Sequence, residues 1–75
     1  MTFTIILPNT RKVSEFVGIA NKYRGSVRAT SGKYTADAKS IMGMLTLDLT
    51  KKITVEIDDA DAASFAAEIE VFLAK

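Results

Sequence analysis

The chain has 75 residues, a formal net charge of +1 and a 48% share of hydrophobic residues, and it contains neither cysteine nor histidine. This length supports one domain, and the nearly balanced charge gives no general attraction to nucleic acid. The missing residue types exclude disulfides, thiolate metal sites and the imidazole that most often serves as general base, zinc ligand or phosphoryl acceptor.

The N-terminal third of the chain predicts a strand followed by an amphipathic helix. The stretch TFTIIL, residues 2–7, is β-branched or apolar and stops at Pro8, as is typical of a strand. Asn9 or Thr10 can cap a helix that we expect to end at Gly25. Its buried face is predicted by apolar residues at helical spacing: Val13, Phe16, Val17, Ala20 and Tyr23.

The rest of the chain predicts three more strands and two more helices. The stretches SVRAT and KYTAD alternate around Ser31-Gly32, which predicts a hairpin with a two-residue turn. A short helix from Ser40 follows, and then KITVEI, residues 52–57, alternates as a half-buried strand. The last helix is predicted by apolar residues on one face: Ala62, Phe65, Ala66, Ile69, Phe72 and Leu73.

The predicted order is β-α-β-β-α-β-α, which indicates an α+β fold. Four strands with one apolar face need a cover, and the amphipathic helices can supply it on one side of the sheet. No apolar run approaches the length of a membrane span, and the first residues lack the basic start of a signal peptide. We therefore expect one cytoplasmic domain, residues 1–75, with no metal, cofactor, membrane or nucleic-acid partner.

The segment DAKSIMGMLTL, residues 37–47, resembles the regulatory-serine segment of HPr, the small phosphocarrier of the bacterial sugar phosphotransferase system. TSGKYTADAKS fits the hairpin that leads into this segment, and PNTRKVSEFV resembles the start of the family's first helix. The KSIMG run is the most specific part of a resemblance that covers nearly the whole chain. It implies the HPr fold, an open-faced β-sandwich with a four-stranded antiparallel sheet. It also implies protein partners among phosphotransferase-system enzymes, an HPr-type kinase or a transcriptional regulator.

The phosphorylated histidine of HPr has no counterpart in this sequence. In that family the loop before the first helix carries Gly, an apolar residue, the histidine, a small residue, Arg and Pro. Here Thr10 and Arg11 align with the small residue and the arginine, and Lys12 replaces the proline. A threonine hydroxyl needs an activating base before it can accept a phosphoryl group. We therefore expect a protein that is neither an enzyme nor a histidine phosphocarrier.

Ser40 is a candidate for regulatory phosphorylation, because the resemblance implies a kinase like the family's HPr kinase. A phosphate on Ser40 would lie at a helix N-terminus, where free N–H groups and the positive end of the helix dipole favour anions. The alternative is that Ser40 is only an N-cap, a common role for serine. The sequence leaves both interpretations open.

Ile41, Met42 and Leu45 are candidate partner-binding residues. On a helix that starts at Ser40 they lie on one side, whereas Met44 and Leu47 lie on another side that should face the sheet. The resemblance implies a docking surface here, since the corresponding surface of HPr docks enzymes and a LacI-type catabolite repressor. The alternative is that all five apolar side chains are buried in a small core.

Thr10, Arg11 and Lys12 are candidate contacts to an anion. Cations at a helix N-terminus oppose the dipole, and an anion held between them and the free N–H groups would offset that cost. The alternative is that Arg11 and Lys12 are solvated cations, paired with Glu15 at helical spacing.

The function predicted from these features is a noncatalytic, HPr-like regulatory or protein-interaction module. The alternative is a degenerate structural or binding domain that has the HPr fold but no role in the phosphotransferase system. A shared fold is weak support for a shared function, so the sequence leaves this second hypothesis open.

Overall fold

The computed structural model describes residues 1–74. The strands are β1 (Thr2–Ile5), β2 (Val27–Ser31), β3 (Tyr34–Asp37) and β4 (Ile53–Ile57). The helices are α1 (Thr10–Ala20), α2 (Ile41–Met44) and α3 (Asp59–Glu68), and a 3-10 turn follows at Glu70–Phe72. The predicted α+β class and the order β-α-β-β-α-β-α are confirmed.

The strands form one antiparallel sheet in the order β1-β4-β2-β3. In the β2-β3 hairpin Ser31 pairs with Tyr34, so Gly32 and Lys33 form the turn, one residue later than the sequence predicted. Gly32 has a φ of 61°, a backbone conformation that favours glycine because other residues carry a Cβ that clashes there.

One face of the sheet is apolar and the helices cover it. Ile53, Val55 and Ile57 of β4 are buried, whereas Thr54 and Glu56 between them are exposed, as the alternation predicted. Buried residues of α1, Val13 and Phe16 among them, pack against this face in a single hydrophobic core. The opposite face of the sheet has no covering element within residues 1–74, so the sandwich is open-faced.

Phe65 of α3 lies at the centre of the aromatic packing. Its ring centroid is 5.9 Å from that of Phe3, 6.1 Å from that of Phe16 and 5.5 Å from that of Tyr23. These contacts join β1, α1 and α3 around one fully buried ring. Tilted and edge-to-face pairs at such separations are the favourable arrangements of aromatic side chains.

Two predicted boundaries of the helices are wrong. α1 ends at Ala20 rather than at Gly25, because the Asn21 side-chain amide donates to the Val17 carbonyl at 2.8 Å and closes the helix there. α3 ends at Glu68, so Leu73 does not continue its apolar face. A long-range partner explains this difference, because Leu73 forms a β-bridge with Ile5.

Candidate functional site

Ser40 is the N-cap of α2. Its hydroxyl oxygen accepts a hydrogen bond from the Gly43 backbone N–H at 3.1 Å, and its own backbone is extended. A Cβ on Gly43 would lie 3.4 Å from the Ser40 hydroxyl oxygen, an ordinary van der Waals distance. Ser40 is half-buried. The cap hydrogen bond confirms that Ser40 is an N-cap.

Hydrogen bonds to β3 and to the segment just after α1 fix the backbone that carries Ser40. Its N–H donates to the Asp37 carbonyl at 2.9 Å, and a carboxylate oxygen of Asp37 accepts from the Lys39 N–H at 2.9 Å. The Lys39 carbonyl accepts from the Asn21 amide at 3.0 Å, and the Lys39 ammonium donates to the Tyr23 carbonyl. Ser40 is therefore held beside the C-terminal end of α1.

α2 presents one apolar side to solvent and one to the core. Ile41, Met42 and Leu45 are 39%, 74% and 43% exposed, whereas Met44 and Leu47 are buried. This division confirms the predicted orientation and contradicts the alternative in which all five side chains are buried. We call Ile41, Met42 and Leu45 the α2 patch; its binding role stays a prediction.

The dipole argument for a phosphate on Ser40 is weaker than the sequence indicated, because α2 has only four residues. One turn aligns few peptide dipoles, and the Gly43 N–H is already bonded to the hydroxyl of Ser40. The short helix therefore gives little electrostatic support to a phosphate on Ser40, whose phosphorylation stays a prediction.

The Thr10–Lys12 region lies at the other end of α1. Asn9 caps the helix by accepting from the Lys12 N–H at 3.0 Å, which leaves one fewer free N–H group for an anion. The Lys12 ammonium lies 3.3 Å from a Glu15 carboxylate oxygen, as the alternative interpretation expected. Thr10 and Arg11 are exposed.

The structure does not join the Thr10–Lys12 region and Ser40 into one site. The helix α1 has 11 residues, which corresponds to about 16 Å of helix axis. Ser40 lies at the C-terminal end of this axis, and Thr10 is its first residue. A phosphate on one would not contact the other.

Sequence reasoning missed an ion-pair network between α1's C-terminal end and α3. The Lys22 ammonium and the Tyr23 hydroxyl donate to the two carboxylate oxygens of Glu68 at 2.7 and 2.5 Å. The hydrogen bond from Lys22 holds the pKa of Glu68 below its ordinary value, with a further contribution from Tyr23. Lys22 and Glu68 are 46 positions apart, so no local pattern could have indicated the pair.

Within residues 1–74 no three carboxylates lie close enough together to hold a metal ion. No helix in that part of the chain has the length and apolar character to cross a bilayer.

Comparisons with known proteins identify a family by sequence and a matching fold by structure. A sequence model described as "PTS HPr component phosphorylation site" matches residues 2–75. The solved structure of the histidine-containing phosphocarrier protein of Mycoplasma superposes with a TM-score of 0.77 at 20% identity, over 95% of this chain and 89% of that one. No curated protein matches the sequence. Because the family model spans nearly every residue, the chain belongs to the PTS-HPr family.

Proposed function

We propose that this chain is a noncatalytic regulatory or protein-interaction module of the HPr family and not a histidine phosphocarrier. One observation carries the proposal: the α2 patch stands exposed beside Ser40 in a chain that contains no histidine. Phosphotransferase-system enzymes, an HPr-type kinase or a transcriptional regulator are the partners that the family suggests.

The missing imidazole is the chemical reason to reject phosphoryl transfer. A carrier must accept a phosphoryl group and release it again, and neutral imidazole does this near neutral pH. Thr10 occupies the corresponding part of the chain, but its hydroxyl needs a base, and no histidine can provide one. The nearest acidic side chain on that helix, Glu15, is paired with Lys12.

The exposure of the α2 patch supports a role in protein recognition. Full burial of a large apolar side chain stabilises by about 1.5–3 kcal/mol, and Met42 can adapt its shape to different partners. The patch groups three exposed apolar side chains in one short segment, whereas most other large apolar residues are in the core.

Phosphorylation of Ser40 would change this surface directly. A phosphate adds nearly two negative charges next to Ile41 and three strong acceptor oxygens. It would repel a partner that buries the α2 patch against apolar or acidic groups, and it would attract one that presents arginine. Phosphorylation of Ser40 would therefore change which partners the α2 patch binds.

The interface can be tested with two substitutions of equal chemistry. Ile41→Asp places a charge in the α2 patch, and Val71→Asp places one at an apolar side chain that is 82% exposed elsewhere. Proteins captured from a bacterial extract are quantified by mass spectrometry. We expect Ile41→Asp to remove partners that Val71→Asp retains. Equal capture by both variants would favour the degenerate structural domain.

The switch can be tested with an HPr-type kinase and ATP. We expect one phosphate on the protein by intact-mass measurement and none on Ser40→Ala. An unmodified protein, or a modification that persists in Ser40→Ala, would remove Ser40 from the proposal. Thr46→Ala is a suitable control because Thr46 is an exposed hydroxyl in the same segment.

A further inference from the structure

A cavity of about 370 Å³ opens between the loop that enters β2 and the end of β3. Its polar lining consists of Arg24, Ser26, Arg28, Thr35, Asp37 and Lys39. Three cations and one carboxylate give these residues a charge excess of two positive charges. We call this space the basic cavity. It is separate from the α2 patch and from Thr10–Lys12.

The cations of the basic cavity have no ion-pair partner within residues 1–74. Arg28 lies opposite Asp37 and Glu56 in the sheet register, yet it forms an ion pair with neither. The Lys39 ammonium donates to the Tyr23 carbonyl, which fixes its position and leaves further N–H groups free. A bound anion would supply the charge-assisted partner that these cations lack.

Acidic residues other than Asp37 also lie near the basic cavity. A carboxylate oxygen of Asp61 lies 3.8 Å from the position of a Cβ on Gly25, which lines this cavity. Glu56, Asp58 and Asp59 line a second cavity that also contains Arg28. A Cβ on Gly25 would lie 2.5 Å from a carboxylate oxygen of Asp58, so the Gly25 backbone packs directly against that side chain. Arg28 therefore lines both cavities, whereas Arg24 and Lys39 line only the basic cavity.

We propose that the basic cavity binds a small phosphomonoester whose organic part carries hydroxyl groups. Guanidinium groups match the geometry of phosphate oxygens, and Lys39 adds a fixed positive charge. The cavity is larger than a phosphate group, and Asp37, Ser26 and Thr35 provide oxygen atoms that can accept hydrogen bonds from hydroxyl groups. The assignment does not depend on phosphorylation of Ser40.

The site can be located by amide NMR titration of the whole chain. Glycerol 3-phosphate is the probe, inorganic phosphate lacks the organic part, and glycerol lacks the charge. We expect saturable shifts at residues 24–28 and 35–39 with glycerol 3-phosphate, weaker binding of inorganic phosphate and no shifts with glycerol. Shifts confined to residues 9–13, shifts that do not saturate, or equal binding of inorganic phosphate would overturn the proposal.

Charge-removing variants then test the named side chains. Arg24→Gln and Arg28→Gln should each weaken the affinity for glycerol 3-phosphate by about tenfold, because each removes a charge-assisted contact. Lys52→Gln is the matched control, since Lys52 is exposed and lies outside the cavity. Affinity that falls equally in Lys52→Gln would indicate nonspecific attraction and contradict a built site. The amide spectrum of each variant reports whether it is folded.

Discussion

The Ser40 hydroxyl has a structural role that exists without any modification. Because it satisfies the Gly43 N–H, we expect Ser40→Ala to lower the free energy of unfolding by about 0.5–1 kcal/mol in a urea titration. Ser40→Asp should keep most of the stability, since aspartate also caps helices. Ser14→Ala, an exposed serine within α1, is the control and should change stability little. Unchanged stability in Ser40→Ala would contradict the cap.

Glu68 makes stability depend on pH in acid. Its pKa is lower in the folded chain than its ordinary value of 4.5, so the ionised carboxylate adds stability above that pH. This contribution is lost as pH falls through the folded-state pKa. We expect Glu68→Gln to be less stable than the parent near neutral pH, and the difference to shrink as pH falls below 4.5 and to vanish below the folded-state pKa.

Thermal unfolding measured across this pH range checks the Glu68 prediction. Glu70→Gln is the control, because Glu70 is exposed and has no ion-pair partner within residues 1–74. A stability difference for Glu68→Gln that stays constant through acid would exclude the proposed linkage.

At the scale of elements, Phe65 joins α3 to α1 and β1. Its removal leaves a cavity among aromatic rings, so Phe65→Ala should cost about 3–5 kcal/mol. Val71→Ala, at an 82% exposed side chain, should stay within about 0.5 kcal/mol. Chemical denaturation of both variants checks this. Similar losses of unfolding free energy in Phe65→Ala and Val71→Ala would show that the packing around Phe65 does not join these elements.

The buried and exposed apolar side chains of residues 41–47 should respond differently to a charged substitution. Leu47→Asp would bury a carboxylate without a partner and should unfold most of the protein, whereas Ile41→Asp should leave the fold intact. Circular dichroism and amide spectra of both variants provide the measurement. Unfolding of Ile41→Asp would mean that the residue belongs to the core.

The elements themselves could be predicted from the sequence, but their ends could not. Apolar spacing determines the buried face of α1, and alternation determines that of β4, because both are properties of neighbouring residues. The end of α1 depends on Asn21, whose amide also reaches the Lys39 carbonyl 18 positions away. Leu73 leaves the helix to pair with Ile5, and no local pattern encodes such a contact.

At the scale of the whole molecule, sheet order explains why the basic cavity could not be predicted from the sequence. Ser40 and the α2 patch belong to one short segment, so the exposure of the patch could be predicted from residue spacing, whereas its binding role and the phosphorylation of Ser40 stay predictions. The basic cavity combines a loop before β2 with the end of β3, and cross-strand pairing brings Arg28 opposite Asp37. That register becomes visible only when the hairpin turn is known to be Gly32 and Lys33.

The sheet has two edge strands, β1 and β3, and each is protected in a different way. β1 is an edge strand, and the segment after α3 pairs with it: the Ile6 N–H donates to the Phe72 carbonyl at 2.8 Å and the Ala74 N–H to the Thr4 carbonyl at 2.9 Å. Such cover protects an edge from pairing with other chains. β3, at the opposite edge, is only four residues long, which limits the same risk.

The fold of a phosphocarrier is present here without the side chain that carries phosphate. The chain matches the PTS-HPr family over residues 2–75 and contains no histidine. Fold similarity alone does not establish transfer chemistry, because function depends on the residues of a site. An exposed apolar surface is present around α2, and its binding role stays a prediction.

Incubation with phosphoenolpyruvate and the first enzyme of the phosphotransferase system tests this account most directly. Intact-mass measurement under alkaline quench, which preserves phosphohistidine-type adducts, reports any transfer, and a histidine-bearing HPr serves as the positive control. We predict that the mass of this chain stays unchanged while the control is phosphorylated. An acid-labile phosphoryl adduct that this chain passes on to a second protein would contradict the account.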